Sequence, residues 1–407
     1  MVFSELCVRC KGKLLCGLSY CPVLRNYSAQ IKVSKNIARE FLGHAPPGVF
    51  VSWYNYPKVS VYPLSTPERM RDVSLLDKPE RWYGLPAERI IEFRSSLVMA
   101  GKKFHAKDAG DPSYELVNVQ ELAMSASHID IEVELAKKPE PKLSFSSSSG
   151  PLGPKAPLRK FEFESNPRVP RKVDYLVSDI DVKANDALLE LYRSGFPVSF
   201  LHRLLSAGLL GVEKNRRIVP TRWAITAVDA NISKTLINEK VKGYEIIDRF
   251  ELYHSNYLEN DFWILLIPSA WAFEQLECWL PGSAWLKEGK AHIIENFEQR
   301  EPADYRTVED GAYYAARLAV AEFLEERRRQ AACIFFREIS PKYAVPLGVW
   351  QVRENIRYAL KQKPTCFETL NEALEYLKRK LVVPIREYIA RSKLIDWIKN
   401  QKRLSEY

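Results

Sequence analysis

Hydrophobic positions along the chain follow two periods. "GVFVSW" (48–53) and "KVSVYPL" (58–64) cluster β-branched and aromatic residues between Pro and Gly and predict short strands. "PAERIIEFRSSLVMAG" (86–101) spaces Ile90, Ile91, Phe93, Leu97 and Val98 at helical intervals, with Gly101 as a stop. "DALLELYRSG" and "SFLHRLLSAGLLG" read as short helices, and "RIVPTRWAITAVDANISKTL" (217–236) as a strand running into a turn. "YEIIDRFELYHSNY" and "FWILLIP" read as paired strands. Over the last hundred residues the pattern turns mostly helical. "YYAARLAVAEFLEERRRQAA" is a helix whose three arginines suit the negative end of its dipole, "CIFFREI" a strand, and "VWQVRENIRYALKQ" a helix with Val349, Val352, Ile356, Ala359 and Leu360 on one face. A capping box at Thr365-x-x-Glu368 would open a further helix carrying Leu370, Leu374, Leu377 and Leu381, and Pro384 the last one, ending near Lys399.

These elements predict a mixed α/β (α+β) main domain, a helix-rich C-terminal domain and a small cysteine knuckle in front. The expected segmentation is 1–30 for the knuckle, 31–295 for the main domain, 296–400 for the C-terminal domain and 401–407 for a terminal peptide. Within the main domain, residues 137–172 hold seven prolines and four consecutive serines, the composition of a linker or surface loop. Their Gly-rich turn offers free N–H groups that can wrap an anion.

Composition narrows the class. At 407 residues, 46% hydrophobic and 27% charged, the chain is that of a globular protein with room for two or three domains. Its longest mostly apolar run, Phe262 to Phe273, is too short for a bilayer span. The N-terminus carries cysteines and charges where a signal peptide needs an apolar core, so the expectation is a cytoplasmic, nucleoid-associated protein without a membrane partner. Net charge is +9, and residues 351–407 alone hold 13 Lys/Arg against 7 Asp/Glu. That balance favours a polyanion such as DNA, or else a solvated helical face.

Four of the seven cysteines, Cys7, Cys10, Cys16 and Cys21, stand in the first 21 residues with spacing C-x₂-C-x₅-C-x₄-C. Gly12 and Gly17 let backbone N–H groups approach the sulfurs, and four thiolates can close a structural tetrahedral zinc shell. An iron–sulfur cluster or no metal are the alternatives. Cys278, Cys333 and Cys366 read as buried or inert. Arg222 and Asp229 would point to opposite faces of a strand, the expected reading being a core strand with charged ends. With His44, in the Pro/Gly loop "GHAPPGVF", they are the candidates for a catalytic cleft. Arg353 and Arg357, at i, i+4 on one helix, repel unless an anion bridges them; with Arg217, Arg222 and Arg337 they are the candidate phosphate contacts.

The chain ends "QKRLSEY". In a 3₁₀ turn Gln401, Leu404 and Tyr407 would align as one polar anchor and two apolar knobs, suited to a pocket on another protein.

Together, "CVRCKG…CGLSYCP", "GHAPPGVFVSW…YPKVSVYPL", "SGPLGP", "VPTRWAITAVD", "YYAARLAVAEFLE", "REISPKYAVPLGVWQVRENIRYAL" and the terminal "QKRLSEY" resemble, in order and across nearly the whole chain, the archaeal Nre DNA-repair proteins. The resemblance implies a DNA-repair role, a cysteine motif at the front and a peptide at the back that binds the sliding clamp PCNA through Gln401, Leu404 and Tyr407. Only one terminal aromatic is present where such peptides usually carry two. The expectation is a DNA-binding protein recruited by the clamp; the rivals are a nuclease or hydrolase of the same pathway and a non-enzymatic scaffold.

Overall fold

The computed structural model describes residues 9–15, 17–67, 72–143, 150–283, 286, 289–299, 311–343 and 345–400. They form a mixed α+β protein of two compact units, residues 4–232 and 233–407.

In the first unit α1 (Pro22–Asn36) is followed by β1 (Glu40–Ala45), β2 (Val49–Val51), β3 (Lys58–Ser65), α2 (Ala87–Ser96), β4 (Val98–His105), α3 (Tyr114–Met124), β5 (Ile129–Leu135) and β6 (Lys155–Phe163). Then come α4 (Arg171–Ser178), α5 (Ala184–Arg193), α6 (Val198–Ser206) and α7 (Thr221–Glu239). The strands lie in the order β1-β5-β6-β4-β3-β2, all neighbours antiparallel except β4 and β6. β1 also meets the far end of β3. His44 of β1 forms a bridge with Thr66, just past β3, through backbone bonds of 2.9 and 2.8 Å. The sheet therefore closes into a barrel, its interior filled by Val51, Val59, Val61, Val98, Ile131 and Val133.

Several expectations need correction here. Helix α2 stops at Ser96, and Val98 to Gly101 belong to β4. Gly101 is a strand residue over which the Tyr62 ring lies, so close that a Cβ would sit 2.2 Å from the ring. The presumed loop 137–172 contains β6, a central strand. Pro157 is tolerated there beside an irregularity at Glu134/Leu135 that shifts the register to Leu158 and Lys160. Gly153 in "SGPLGP" passes so close to the Leu97 carbonyl that a Cβ would lie 1.6 Å from its oxygen. "PTRWAITAVD" is helical, not a strand: Ala224, Val228 and Ile232, four apart, are each fully buried.

In the second unit β7 (Phe250–Tyr257), β8 (Asn260–Ile267), β9 (Ala272–Trp279) and β10 (His292–Glu298) precede α8 (Gly311–Arg327), β11 (Ala332–Ile339), α9 (Trp350–Leu360), β12 (Thr365–Phe367), α10 (Leu370–Lys378), α11 (Ile385–Ile389) and α12 (Lys393–Asn400). The sheet order is β10-β9-β11-β8-β7-β12, with β11 parallel to β9 and antiparallel to β8. Strands on both sides of residue 295 thus share one sheet. One face, with Leu265, Leu276, Ile334 and Phe336, packs on Leu374, Leu377, Tyr388 and Leu394 of the last helices. The helix after β12 is capped by Thr369, whose hydroxyl accepts from the Glu372 N–H at 3.2 Å while Glu372 reaches back to the Glu368 N–H at 3.0 Å. The N-cap is therefore Thr369, four residues later than the Thr365 expected.

Candidate nucleic-acid interface

The β2–β3 hairpin turns through Ser52 to Pro57. Its backbone is fixed by Ser52 N–H to Ser60 O (2.9 Å) and Lys58 N–H to Asn55 O (2.8 Å), with Asn55 in the left-handed region at φ 63°. This turn holds three large aromatic side chains in solvent: Trp53 is 44% exposed, Tyr54 63% and Tyr56 46%. Trp53 and Tyr54 stack with centroids 4.4 Å apart, and Tyr56 meets Trp223, 45% exposed on the first turn of α7, at 5.0 Å. The start of α7 is tied to the hairpin by Val51 N–H donating to the Thr221 hydroxyl (2.8 Å). Isolated exposed aromatics are ordinary, but four in one stacked and one tilted pair form an apolar patch of the kind that marks an interaction site.

Basic groups border this shelf. Lys58 begins β3 and is exposed; Lys103, registered against Ser60, is exposed on β4; Arg222 is exposed beside Trp223. The Lys155 ammonium lies 5.3 Å over the Tyr62 ring, its pKa held below the usual lysine value by partial burial and the nearby Lys142 charge. Two like charges held together are relieved by an anion. Three aromatics within "SWYNYP", a turn composition, are the sequence signal of this shelf, and it differs from that of any site candidate named above.

Of the expected phosphate contacts, Arg222 stands at this shelf. Arg217 borders an open depression with Lys107, Asp111, Glu213 and Lys214, and donates to the Lys214 and Arg216 carbonyls. Of the other three, Arg337 and Arg353 are buried and Arg357 is half-buried. Arg337 is buried between Glu277 (2.5 Å) and Asn260. Arg353 is 2% exposed. Arg357 is gripped by both Glu322 oxygens and by Glu354, each at 2.8 Å, so two carboxylates already fill the role proposed for a phosphate.

Nor do the three cleft candidates converge. Asp229 is fully buried, 3.3 Å from Nε2 of His202, while Arg222 at the same helix's start is exposed. His44 pairs instead with Asp130, its register partner on β5, Nδ1 lying 2.6 Å from the carboxylate. His128 stands edge-on to His44, centroids 5.8 Å apart, and one donor atom from each of the three lies within 4.8 Å of the others. Two imidazoles and a carboxylate are a donor set that transition metals accept.

Of the four N-terminal cysteines, Cys7 and Cys16 lie outside the described residues. Cys10 is nearly buried in a tight turn with Lys11, Gly12 and Leu14 at positive φ. The Leu15 N–H donates to its sulfur at 3.3 Å, and this bond, with further turn N–H groups, holds the thiol pKa below the ordinary value. That environment suits a thiolate ligand. Cys21 occupies the N-cap of α1. Cys278 and Cys333 are fully buried as expected, whereas Cys366 is exposed. Gln401, Leu404 and Tyr407 lie outside the described residues. Among the described residues no helix is long and apolar enough to cross a membrane.

Comparison with known proteins adds the lineage. No solved structure matches the chain. The family models for archaeal Nre, N-terminal, and archaeal Nre, C-terminal, match residues 15–286 and 297–407. The chain is 38% identical over 389 residues to a DNA repair protein NreB of Archaeoglobus fulgidus, covering 96% of both chains. It is 36% identical to a DNA repair protein NreA of the same organism, over 93% of this chain and 94% of that one. To a DNA repair protein NreA of Haloferax volcanii it is 35% identical, over 85% of this chain and 84% of the relative. The chain belongs to the archaeal Nre family.

Proposed function

We propose that this protein acts in DNA repair, binding DNA through the first unit and reaching its sites of action through the sliding clamp PCNA. The names its relatives carry support the repair role. The observation that carries DNA binding is the aromatic shelf bordered by Lys58, Lys103 and Arg222, a surface with both stacking groups and cationic partners for phosphates. Binding should weaken steeply as salt rises, because neutralised phosphates release their counterions. Fluorescence anisotropy with labelled DNA at graded salt is the test; absence of binding at low salt would end this reading.

Clamp recruitment rests on Gln401, Leu404 and Tyr407. Removing residues 401–407 should abolish binding to the clamp in titration calorimetry and leave DNA affinity unchanged. Equal clamp affinity with and without the peptide would contradict the assignment.

The N-terminal cysteines fit a structural zinc site of Cys7, Cys10, Cys16 and Cys21, the N–H donation to Cys10 being the supporting feature. A bound zinc ion would lock the turn and keep the sulfurs ionised. Native mass spectrometry should find one zinc per chain, lost when Cys7 and Cys10 are replaced by Ser.

One observation favours an enzyme as the second reading, the His44–His128–Asp130 cluster. Turnover of a DNA panel with added divalent metal, abolished by His44→Ala, would support it over a binding protein.

A further inference from the structure

We infer that the barrel of the first unit is a site for an unpaired DNA strand, whose bases stack on the Trp53–Tyr54 and Tyr56–Trp223 pairs while its phosphates follow the lysines of β3, β4 and β6. This deepens the DNA-binding reading above by naming the form of DNA.

The first support is connectivity. β1 and β2 are two halves of one strand, broken at Pro46–Pro47–Gly48: the first half pairs with β5, the second with β3. Counted so, the barrel has five strands, joined around as first, second, third, fifth, fourth and back to first. The third and fifth, β4 and β6, are parallel, and helix α3 separates the third from the fourth. This is the connectivity of the OB barrel, which binds oligonucleotides across its second and third strands and through the loops joining strands one to two and four to five. Here those parts are β3, β4, residues 52–57 and, among the described residues, 136–143 and 150–154.

A fold does not by itself establish a site, so the chemistry must be present at those places. It is. The first loop is the one that raises Trp53, Tyr54 and Tyr56 into solvent. The second loop is pinned by the buried Gln30, which accepts from Lys142 N–H (2.9 Å) and donates to Leu152 O (3.0 Å). That anchoring brings Lys142 beside Lys155, next to the Tyr62 ring.

The ligand is single-stranded for a geometric reason. In a duplex the base faces are stacked on one another and only edges and backbone reach a protein surface. Flat exposed rings gain only from bases that have left the stack, and each base–aromatic contact is sequence-tolerant.

The test uses the full chain, its tryptophan fluorescence, and two probes of equal length, an oligo-dT strand and a mixed-sequence duplex. Expected is quenching by the single strand at a concentration at least tenfold below that needed for the duplex. Trp53→Ala with Tyr54→Ala should weaken single-strand binding by roughly ten- to hundredfold, read by anisotropy of labelled dT. Trp223→Ala should weaken it as well, and serves if the double variant does not fold. Tyr358→Ala, at an exposed aromatic of the second unit, should leave it unchanged. Equal affinity for the two probes, or full affinity in both shelf variants, would overturn this inference and leave DNA binding to another surface. No binding to either probe would overturn the broader reading too.

Discussion

In the first unit the unusual side chains are outside: Trp53, Tyr54, Tyr56 and Trp223 stand in solvent with lysines around them. In the second they are inside. Arg317 and Glu298, each 2% exposed, pair at 2.6 Å, and Arg337 with Glu277 at 2.5 Å. Glu274 and Glu338 are buried on the opposite face of the same sheet, where the starts of the last helices and the Tyr388 hydroxyl satisfy them. Exposed apolar surface and buried charge both oppose folding, but they have different explanations. A buried, fully paired charge is satisfied within the fold, so its cost is met internally and its role is structural. An exposed aromatic stack has no such internal partner, and its explanation must come from a ligand. Within the charge excess of residues 351–407, Arg353 is buried and Arg357 is held by Glu322 and Glu354.

Three predictions probe that contrast, the largest first. Arg317→Ala removes the guanidinium that pairs with the buried Glu298 carboxylate at 2.6 Å, and should lower the stability of the second unit by about 3–5 kcal/mol. Chemical denaturation followed by circular dichroism reads it; a loss below about 1 kcal/mol would mean that the buried charge is not structural.

Glu274 gives a pH signature. Burial, with the Glu295 charge nearby, raises its pKa to about 7, although the Ser392 hydroxyl and the Lys393 and Leu394 N–H groups donate to it. A carboxyl whose folded pKa lies above its unfolded value of 4.5 favours the fold while protonated, so this contribution is full below pH 4.5 and fades as pH rises through 7. It amounts to roughly 3 kcal/mol at most. Glu274→Gln should flatten the melting temperature between pH 5 and pH 7; an unchanged slope would place the titration elsewhere.

The smallest effect is the opposite one. Trp53→Ala should change stability by less than about 0.5 kcal/mol, since half its surface is already in water, while weakening single-strand binding. A large loss of stability would make the shelf part of the core.

Much of the second unit was legible because its elements keep one period each: the β7–β8 hairpin, α8, β11 and α9 lie where the pattern puts them. In the first unit local chemistry and fold disagree. Thr221, Trp223, Ile225, Thr226 and Val228 favour a strand, yet the four-residue spacing of Ala224, Val228 and Ile232 buries them as a helix. β6 was hidden because prolines seldom enter central strands, yet Pro157 stands there in register with Gly101 of β4. His44 was singled out correctly as unusual, but its partners, Asp130 and His128, come from a strand some 85 residues away, a separation that no local pattern carries.

Whether DNA meets the aromatic shelf of the first unit or the basic helices of the second is read by photocrosslinking a 5-iodouracil-substituted single strand to the full protein, followed by peptide mass spectrometry. Adducts on Trp53, Tyr54, Tyr56 or Trp223 are expected. Adducts confined to residues 351–400 would contradict that expectation.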